Sequence, residues 1–457
     1  MLKPYCEYKL SSSAFERKIP SHWNEYKMSW LFDFRNDKNH VDEELLSVYL
    51  DKGVVSYTST TQKQVHKPSE DLSNYQLVLP GDFVLNNQQA WRGSVGISKY
   101  RGIISPAYYV LKPRIGINSD FLNYAGRDKA VVDQFVIASK GVGSIQRQIY
   151  IPYLKNVVIQ VPPKSEQDQI VRYLDWKVSE MNRFIHEKKK QIKLLEELKY
   201  TQIDRYITKG LNPPVLMKDS QVEWIGKIPE HWKIDHIKQH FTVKKRIAGK
   251  EGYDVLSITQ QGLKVKDISS NEGQMAQNYS GYQFVYPGDF AMNHMDLITG
   301  YVDLSDKFGV TSPDYRVFTL DDTENCYAPY YLRVFQIGYK RKIFYKFGKG
   351  AANQGRWRMP KNAFYDYSIQ VPPMEEQRQI EEACQKLEQD IDDMISGIQK
   401  EITLVEELRT KLIADVVTGQ VDVRDEIIPD YTSDFGAEAL ENDSLEDEDE
   451  EFPSEEE

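Results

Sequence analysis

Along two stretches of the chain, apolar residues recur at three- and four-residue steps. The first stripe runs Ile170, Leu174, Val178, Met181, Ile185, Ile192, Leu195 and Leu198, with Lys188 filling one slot. The second runs Ile380, Cys384, Leu387, Ile391, Met394, Ile398, Ile402, Val405, Leu408 and Leu412. No proline interrupts residues 164–212 or 374–428. The spacing predicts two long helices, each about 60 Å for ~40 residues. Pro162-Pro163 stops any preceding element, and Ser165-Glu166-Gln167-Asp168 resembles a helix N-terminal cap with acid on the first turn. Two such stripes most simply pack on each other as a coiled coil, the alternative being that each helix packs on its own domain. Because a whole domain intervenes, antiparallel pairing with a domain at each end is the economical arrangement.

Elsewhere the texture is short runs of Tyr, Phe, Val and Ile broken by Gly, Pro, Asn and Asp, which predicts mixed domains rich in strands and turns. Sliding the sequence against itself exposes a duplication. Lys18-Ile19-Pro20-Ser21-His22-Trp23 recurs as Lys227-Ile228-Pro229-Glu230-His231-Trp232 at an offset of 209. Pro80-Gly81-Asp82-Phe83 recurs as Pro287-Gly288-Asp289-Phe290, and Ser105-Pro106-x-Tyr108 as Ser312-Pro313-x-Tyr315, both at 207. Val161-Pro162-Pro163 and Glu166-Gln167 match Val371-Pro372-Pro373 and Glu376-Gln377 at 210. Nearly constant offsets mean one unit copied whole, each copy a mixed domain followed by a long helix.

Charge is unevenly spread. The chain has 457 residues and a net charge of −11, but 16 acidic residues and no basic ones lie between Asp425 and Glu457. The remaining 424 residues hold 53 acidic against all 58 basic residues, a net of +5, so a nucleic-acid partner is not excluded. The tail is too polar to order itself and is expected to be disordered, either as a plain solubility tail or as a segment that occupies basic DNA clefts until DNA displaces it. Cys6, Cys326 and Cys384 form no metal or disulfide pattern. With no run of about 18 apolar residues and no apolar signal core, the expectation is a soluble, cytoplasmic protein.

No catalytic constellation is legible in the sequence. Asn212-Pro213-Pro214-Val215 resembles the Asn-Pro-Pro-aromatic motif of amino-methyltransferases, but Val215 replaces the aromatic ring and no glycine-rich cofactor loop precedes it. A proline-rich linker is the better reading. Pro313-Asp314 lacks the downstream carboxylate–lysine triplet of a nuclease. His231, His236 and His240 could share a zinc ion, yet no fourth ligand accompanies them, and no catalytic, cofactor or metal residue is assigned.

Binding chemistry remains. At matched places the copies carry polar, aromatic-studded segments: Asn86, Asn87, Gln88, Gln89, Trp91 and Arg92, with Ser144, Gln146, Arg147 and Gln148, in the first. The second has Asn293, His294 and Asp296, with Asn353, Gln354, Arg356, Trp357 and Arg358. Asn and Gln suit adenine edges and Arg suits guanine. Lys63, Lys67, Lys99, Arg101, Lys340, Arg341, Lys342 and Lys346 are candidates to neutralise phosphates. Framework residues match between copies while these polar residues differ, as for one scaffold reading two words.

These motifs make the chain resemble the specificity subunits of type I restriction–modification systems, over residues 8–420. The resemblance implies an α+β chain with an internal pseudo-twofold repeat. Two mixed α/β target-recognition domains, residues 1–160 with an N-terminal arm and 213–370, are joined by long helices at 161–212 and 371–424. The helices form an antiparallel coiled coil, and 425–457 is the acidic tail. It further implies that each domain reads half of a bipartite double-stranded DNA site. The coiled coil would set the gap and dock two methyltransferase (modification) subunits. S-adenosylmethionine would belong to those partners, and ATP and Mg to motor–nuclease (restriction) subunits. The chain itself would be non-catalytic. A protein–protein scaffold with no DNA preference is the rival reading, and a single-chain methyltransferase or nuclease a second.

Overall fold

Both proline-free stretches fold as long helices, Lys164–Lys209 over 46 residues and Met374–Val417 over 44. The computed structural model describes residues 3–13, 15, 18–50, 53–59, 68–114, 116–141, 147–211, 215–268, 276, 278–298, 300–349 and 358–431. The chain divides into two units, residues 1–191 with 397–457 and residues 192–396. Each unit therefore holds one globular repeat and a portion of both long helices. Among the described residues no helix is long and apolar enough to cross a membrane.

The repeat in sequence is a repeat in topology. In the first unit β1 (Phe32–Phe34), β2 (Phe83–Asn86), β3 (Val95–Ile97) and β4 (Tyr108–Pro113) form an antiparallel sheet ordered β1-β4-β2-β3. Phe34 lies opposite Leu111, Val84 opposite Val110 and Phe83 opposite Ile97. In the second unit β5 (Phe241–Lys244), β6 (Phe290–Met292), β7 (Val302–Leu304) and β8 (Arg316–Leu320) take the same order, β5-β8-β6-β7. The central strands β2 and β6 are apolar on both faces because both faces are covered. Phe83, Leu85 and Leu111 join a core with Trp23, Phe121 and Phe135, whereas Val84 and Val110 join Leu46, Val48 and Val54. In the second unit Phe290, Met292 and Phe318 divide from Ala291 and Val317 in the same way. On one face of the first sheet lie α1 (Ser119–Arg127) and α2 (Lys129–Ile137), whose starts are capped by the Asn118 and Asp128 side chains.

Within the first unit the helices run antiparallel. Lys188 pairs with Glu401 at 2.6 Å and Arg409 donates to Asn182 Oδ1 at 2.6 Å, so position falls on one helix as it rises on the other. Within the second unit Lys199 pairs with Asp392 at 2.7 Å. Leu174, Ile185, Ile391 and Ile398 are buried; Met181, Ile192, Leu195, Leu387, Ile402 and Val405 are half-buried. Three stripe positions are corrected. Leu198, Leu408 and Met394 are 47%, 54% and 56% exposed. Buried Ile395 takes the place of Met394, and the stripe runs on through Lys199 and Arg409, half-buried cations one residue beyond the two leucines. Both cations are partly buried and their heads reach Asp392 and Asn182, so a stripe traced on apolar letters alone steps one residue short.

The expected Ser165 cap is also corrected. The helix begins at Lys164, and the Pro163 carbonyl accepts from the amides of Glu166 and Gln167. Both long helices end on a glycine in the left-handed region, Gly210 at φ 75° and Gly419 at φ 73°. Past that point Val423 joins the first unit's core, and the bridge Lys3–Asp422 ties down the N-terminal arm. Part of the segment expected to be disordered is placed: Gln169 Nε2 donates to the Glu426 carbonyl, and Ile428 packs against the core. Residues 432–457 lie outside the described residues.

Candidate nucleic-acid interface

The motifs shared by the two copies prove to be framework. In Pro80-Gly81-Asp82 the amide of Asp82 donates to the Leu79 carbonyl, with Gly81 at φ 90°, a type II turn whose third residue needs glycine. Asp82 is buried, accepts from the Leu79 amide and takes a two-pronged ion pair from Arg35. Asp289 repeats the turn and takes its ion pair from Arg246. At the helix starts Gln167 and Gln377 donate back to the Pro162 and Pro372 carbonyls, each at 2.8 Å. Glu166 accepts from His22, Trp23 and Tyr5 at 2.7, 2.8 and 2.6 Å, and Glu376 accepts from His231 and Trp232 at 2.8 and 3.0 Å. The Ile-Pro-x-His-Trp and Glu-Gln motifs are thus two halves of one joint between domain and helix.

This framework brings remote variable segments together. In the first unit the Ile149 amide donates to the Asn87 carbonyl at 3.0 Å. In the second the Met359 amide donates to the His294 carbonyl at 3.0 Å, which is the same bond one copy later. Side chains around it differ. In the first unit residues 86–92 form a turn in which Asn86 Oδ1 accepts from the Gln88 amide and Trp91 Nε1 donates to the Gln88 carbonyl. The Arg92 and Arg147 guanidiniums lie 5.6 and 5.4 Å from the Trp91 ring centre, an aromatic plate carrying two cations. Gln88, Gln89, Arg92 and Gln148 are exposed beside it.

In the second unit the corresponding place is a cavity of about 520 Å³. Lys244, Lys245, Arg316, Lys349, Arg358 and Lys361 line it together with His294 and Gln283, and no described lining residue is Asp or Glu. Arg316 and His294 are buried, while Lys245, Lys349, Arg358 and Lys361 are exposed. Arg358 Nε donates to His294 Nε2 at 3.3 Å, so the imidazole proton sits on Nδ1. Burial, then the Arg316 and Arg358 charges, push the His294 pKa down to about 3, and burial pulls Arg316 down to about 10. His294 therefore titrates below its unfolded value of 6.5, and folding stability that is intact above that pH is lost as pH falls toward 3. The slope over that window is at most about 1.4 kcal/mol per pH unit. Denaturant titrations of wild type and His294→Gln between pH 7 and 4 should show this part of the slope removed in the variant; parallel curves would contradict it.

A family model described as "Type I restriction modification DNA specificity domain" matches residues 20–194 and again 231–404. The chain belongs to that family. It is similar to the type I restriction enzyme MjaVIII specificity subunit of Methanocaldococcus jannaschii, 24% identical over 89% of this chain and 95% of that one. It is also similar to the putative MjaX specificity subunit of the same organism, 26% identical over 78% and 81%. Two solved structures share the fold at 14% identity. One, presented as the basis of complex assembly and conformational transition of the type I R-M system, has a TM-score of 0.58 over 88% of this chain and 99% of that one. The HsdS subunit of Thermoanaerobacter tengcongensis has a TM-score of 0.50 over 90% and 100%.

Against this type I specificity framework, several expected phosphate contacts lie elsewhere. Arg101 pairs with Glu43 at 2.7 Å, and Lys99 is near Asp175; both follow β3, at the end of the β2–β3 hairpin opposite the Asn86–Arg92 turn. Lys346 pairs with Glu223, Arg341 with Asp204, and Lys340 sits 4.0 Å from the Tyr200 ring centre, on the helix side of the second domain. Lys342 occupies a turn at φ 53°. Asp296 closes its own loop by accepting from the Ile298 amide, and Asn293 Oδ1 accepts from Met295. Lys63, Lys67, Ser144, Gln146, Asn353, Gln354, Arg356 and Trp357 lie outside the described residues.

The three histidines weighed as zinc ligands do not converge. His231 goes to Glu376, His236 to the Asp366 carbonyl, and His240 spends both ring nitrogens on Asp322 and Asp235. Cys326 lies beside His240 and Asp322, and burial pushes its thiol up to about 11. Sequence reading missed Arg316, Lys244, Lys245, Lys349 and Lys361. The signal for Arg316 was present: it directly follows the repeated Ser-Pro-x-Tyr, where the first copy has Tyr109.

Proposed function

We propose that this chain is the address reader of a type I restriction–modification complex, with each globular repeat reading one half of a bipartite double-stranded DNA site. The repeated bond between the two variable segments, Ile149 to Asn87 and Met359 to His294, carries the reading: it holds different polar side chains on one scaffold. Such a scaffold suits two different words. The antiparallel helices suit a spacer and a dock for two methyltransferase subunits. S-adenosylmethionine would serve those partners, and ATP with Mg the motor–nuclease subunits; this chain contributes binding and no chemistry.

The test is selection from long random duplex DNA with the chain co-expressed with its methyltransferase partner. Two short words at a fixed gap are expected. Trp91→Ala, which removes the plate under Arg92 and Arg147, should relax one word and leave the other and the gap intact. Recovery of no motif from a folded complex would favour a protein–protein scaffold, and a single unsplit word would leave one domain without a reading role.

A further inference from the structure

The cavity in the second unit holds more positive charge than its fold requires. Arg316 is 5% exposed, one Nη donates to the Met359 carbonyl at 2.7 Å, and its guanidinium lies 4.5 Å from the Phe364 ring centre. Its other Nη and His294 Nδ1 have no hydrogen-bond partner among the described residues. A buried guanidinium without a counter-charge is costly, and unsatisfied buried donors add to that cost. The sheet does not demand it. Arg316 lies opposite Met292 in register, and the equivalent residue of the first unit, opposite Leu85, is Tyr109, which packs edge-on against Phe34.

A neutral base edge would bring only a dipole to these cations. A phosphoryl oxygen brings a full negative charge and accepts from both buried donors. We propose that this cavity binds a phosphoryl group, with Arg316 as its buried anchor and Arg358 as a second cation at its mouth. The inference takes the DNA-reading function as its premise for one source of that group, a backbone phosphate of the second half-site. A free phosphoryl ligand is the other source. Because the first unit has no cation at the matching position, the two domains would hold DNA differently, the second one more tightly by its backbone.

The test uses the full chain and its Arg316→Gln and Arg316→Lys variants. Thermal unfolding is followed with inorganic phosphate against chloride at equal ionic strength. In parallel, binding to a random-sequence duplex is measured across salt concentrations. Phosphate should raise the wild-type melting temperature, with the gain lost in Arg316→Gln and partly kept in Arg316→Lys. The slope of log affinity against log salt should shrink by about one in Arg316→Gln. Phosphate protection with an unchanged DNA slope would assign the site to a free phosphoryl ligand and overturn the backbone source. Wild type that is protected by phosphate yet binds no DNA even with its methyltransferase partner would sink the DNA-reading function while leaving the anion site standing. A folded Arg316→Gln with unaltered protection and slope overturns the site itself. Should Arg316→Gln fail to fold, exposed Arg358→Gln and Arg316→Lys are read by the same criteria.

Discussion

Glu166→Ala is expected to lower the stability of the first unit by about 3–5 kcal/mol, because it strands the donors of Tyr5, His22 and Trp23 in one step. Tyr5 and Trp23 are buried, so water cannot replace the carboxylate for them. Glu376→Ala in the second copy should cost less, about 1–2 kcal/mol. It strands only Trp232 and a His231 that is 45% exposed and can turn to solvent. Calorimetry of the two variants separates the cases, with the larger drop expected for Glu166→Ala. Equal drops would mean that Tyr5 and the N-terminal arm add nothing to the joint. The joint matters for function because it fixes each domain on the start of its long helix. A loosened joint should therefore weaken recognition of a full two-word site before it weakens recognition of one word.

Ile185→Asp should have the larger effect on the helices. Ile185 is 1% exposed, and the change removes a buried branched side chain and puts a carboxylate in its place, at a cost of about 4 kcal/mol or more. The adjacent Phe184 is 41% exposed, so Phe184→Asp should stay within about 0.5 kcal/mol and serves as the control. Far-UV circular dichroism through a denaturant titration reads the stability, and selection with the methyltransferase partner reads the consequence. With the spacer broken, the words should survive singly while their fixed gap is lost. If Ile185→Asp still selected the same two words at the same gap, the helices would not be the ruler.

Much of this architecture is legible in the chain itself. The three- and four-residue steps of Ile170, Leu174, Val178, Met181 and Ile185 report a helix because the period is a local property of the backbone. The doubling is legible because each motif performs a local task that few residues can do. Gly81 and Gly288 supply a positive φ, and Gln167 and Gln377 turn back on the proline carbonyl five residues before them. Motif spacing also located the variable segments. It did not distinguish the arginines that line the candidate surface from those, such as Arg101, that are spent on a neighbouring carboxylate.

Polar positions are where sequence reasoning stops. Lys199 and Arg409 belong to the helix stripes while Leu198 and Leu408 face solvent, and nothing local says so. The choice depends on Asp392 and Asn182, about 200 residues away along the chain, being placed to receive the two cations. Arg316 is the same case at the candidate site. By itself the sequence determined that there are two copies, two long helices and a mildly basic body with an acidic tail, because period, motif and charge are carried by neighbouring residues. Only the tertiary structure decided which variable segments meet across the Asn87–Ile149 and His294–Met359 bonds, and which cation is buried. Those outcomes depend on partners that the chain path, not the local pattern, brings within reach.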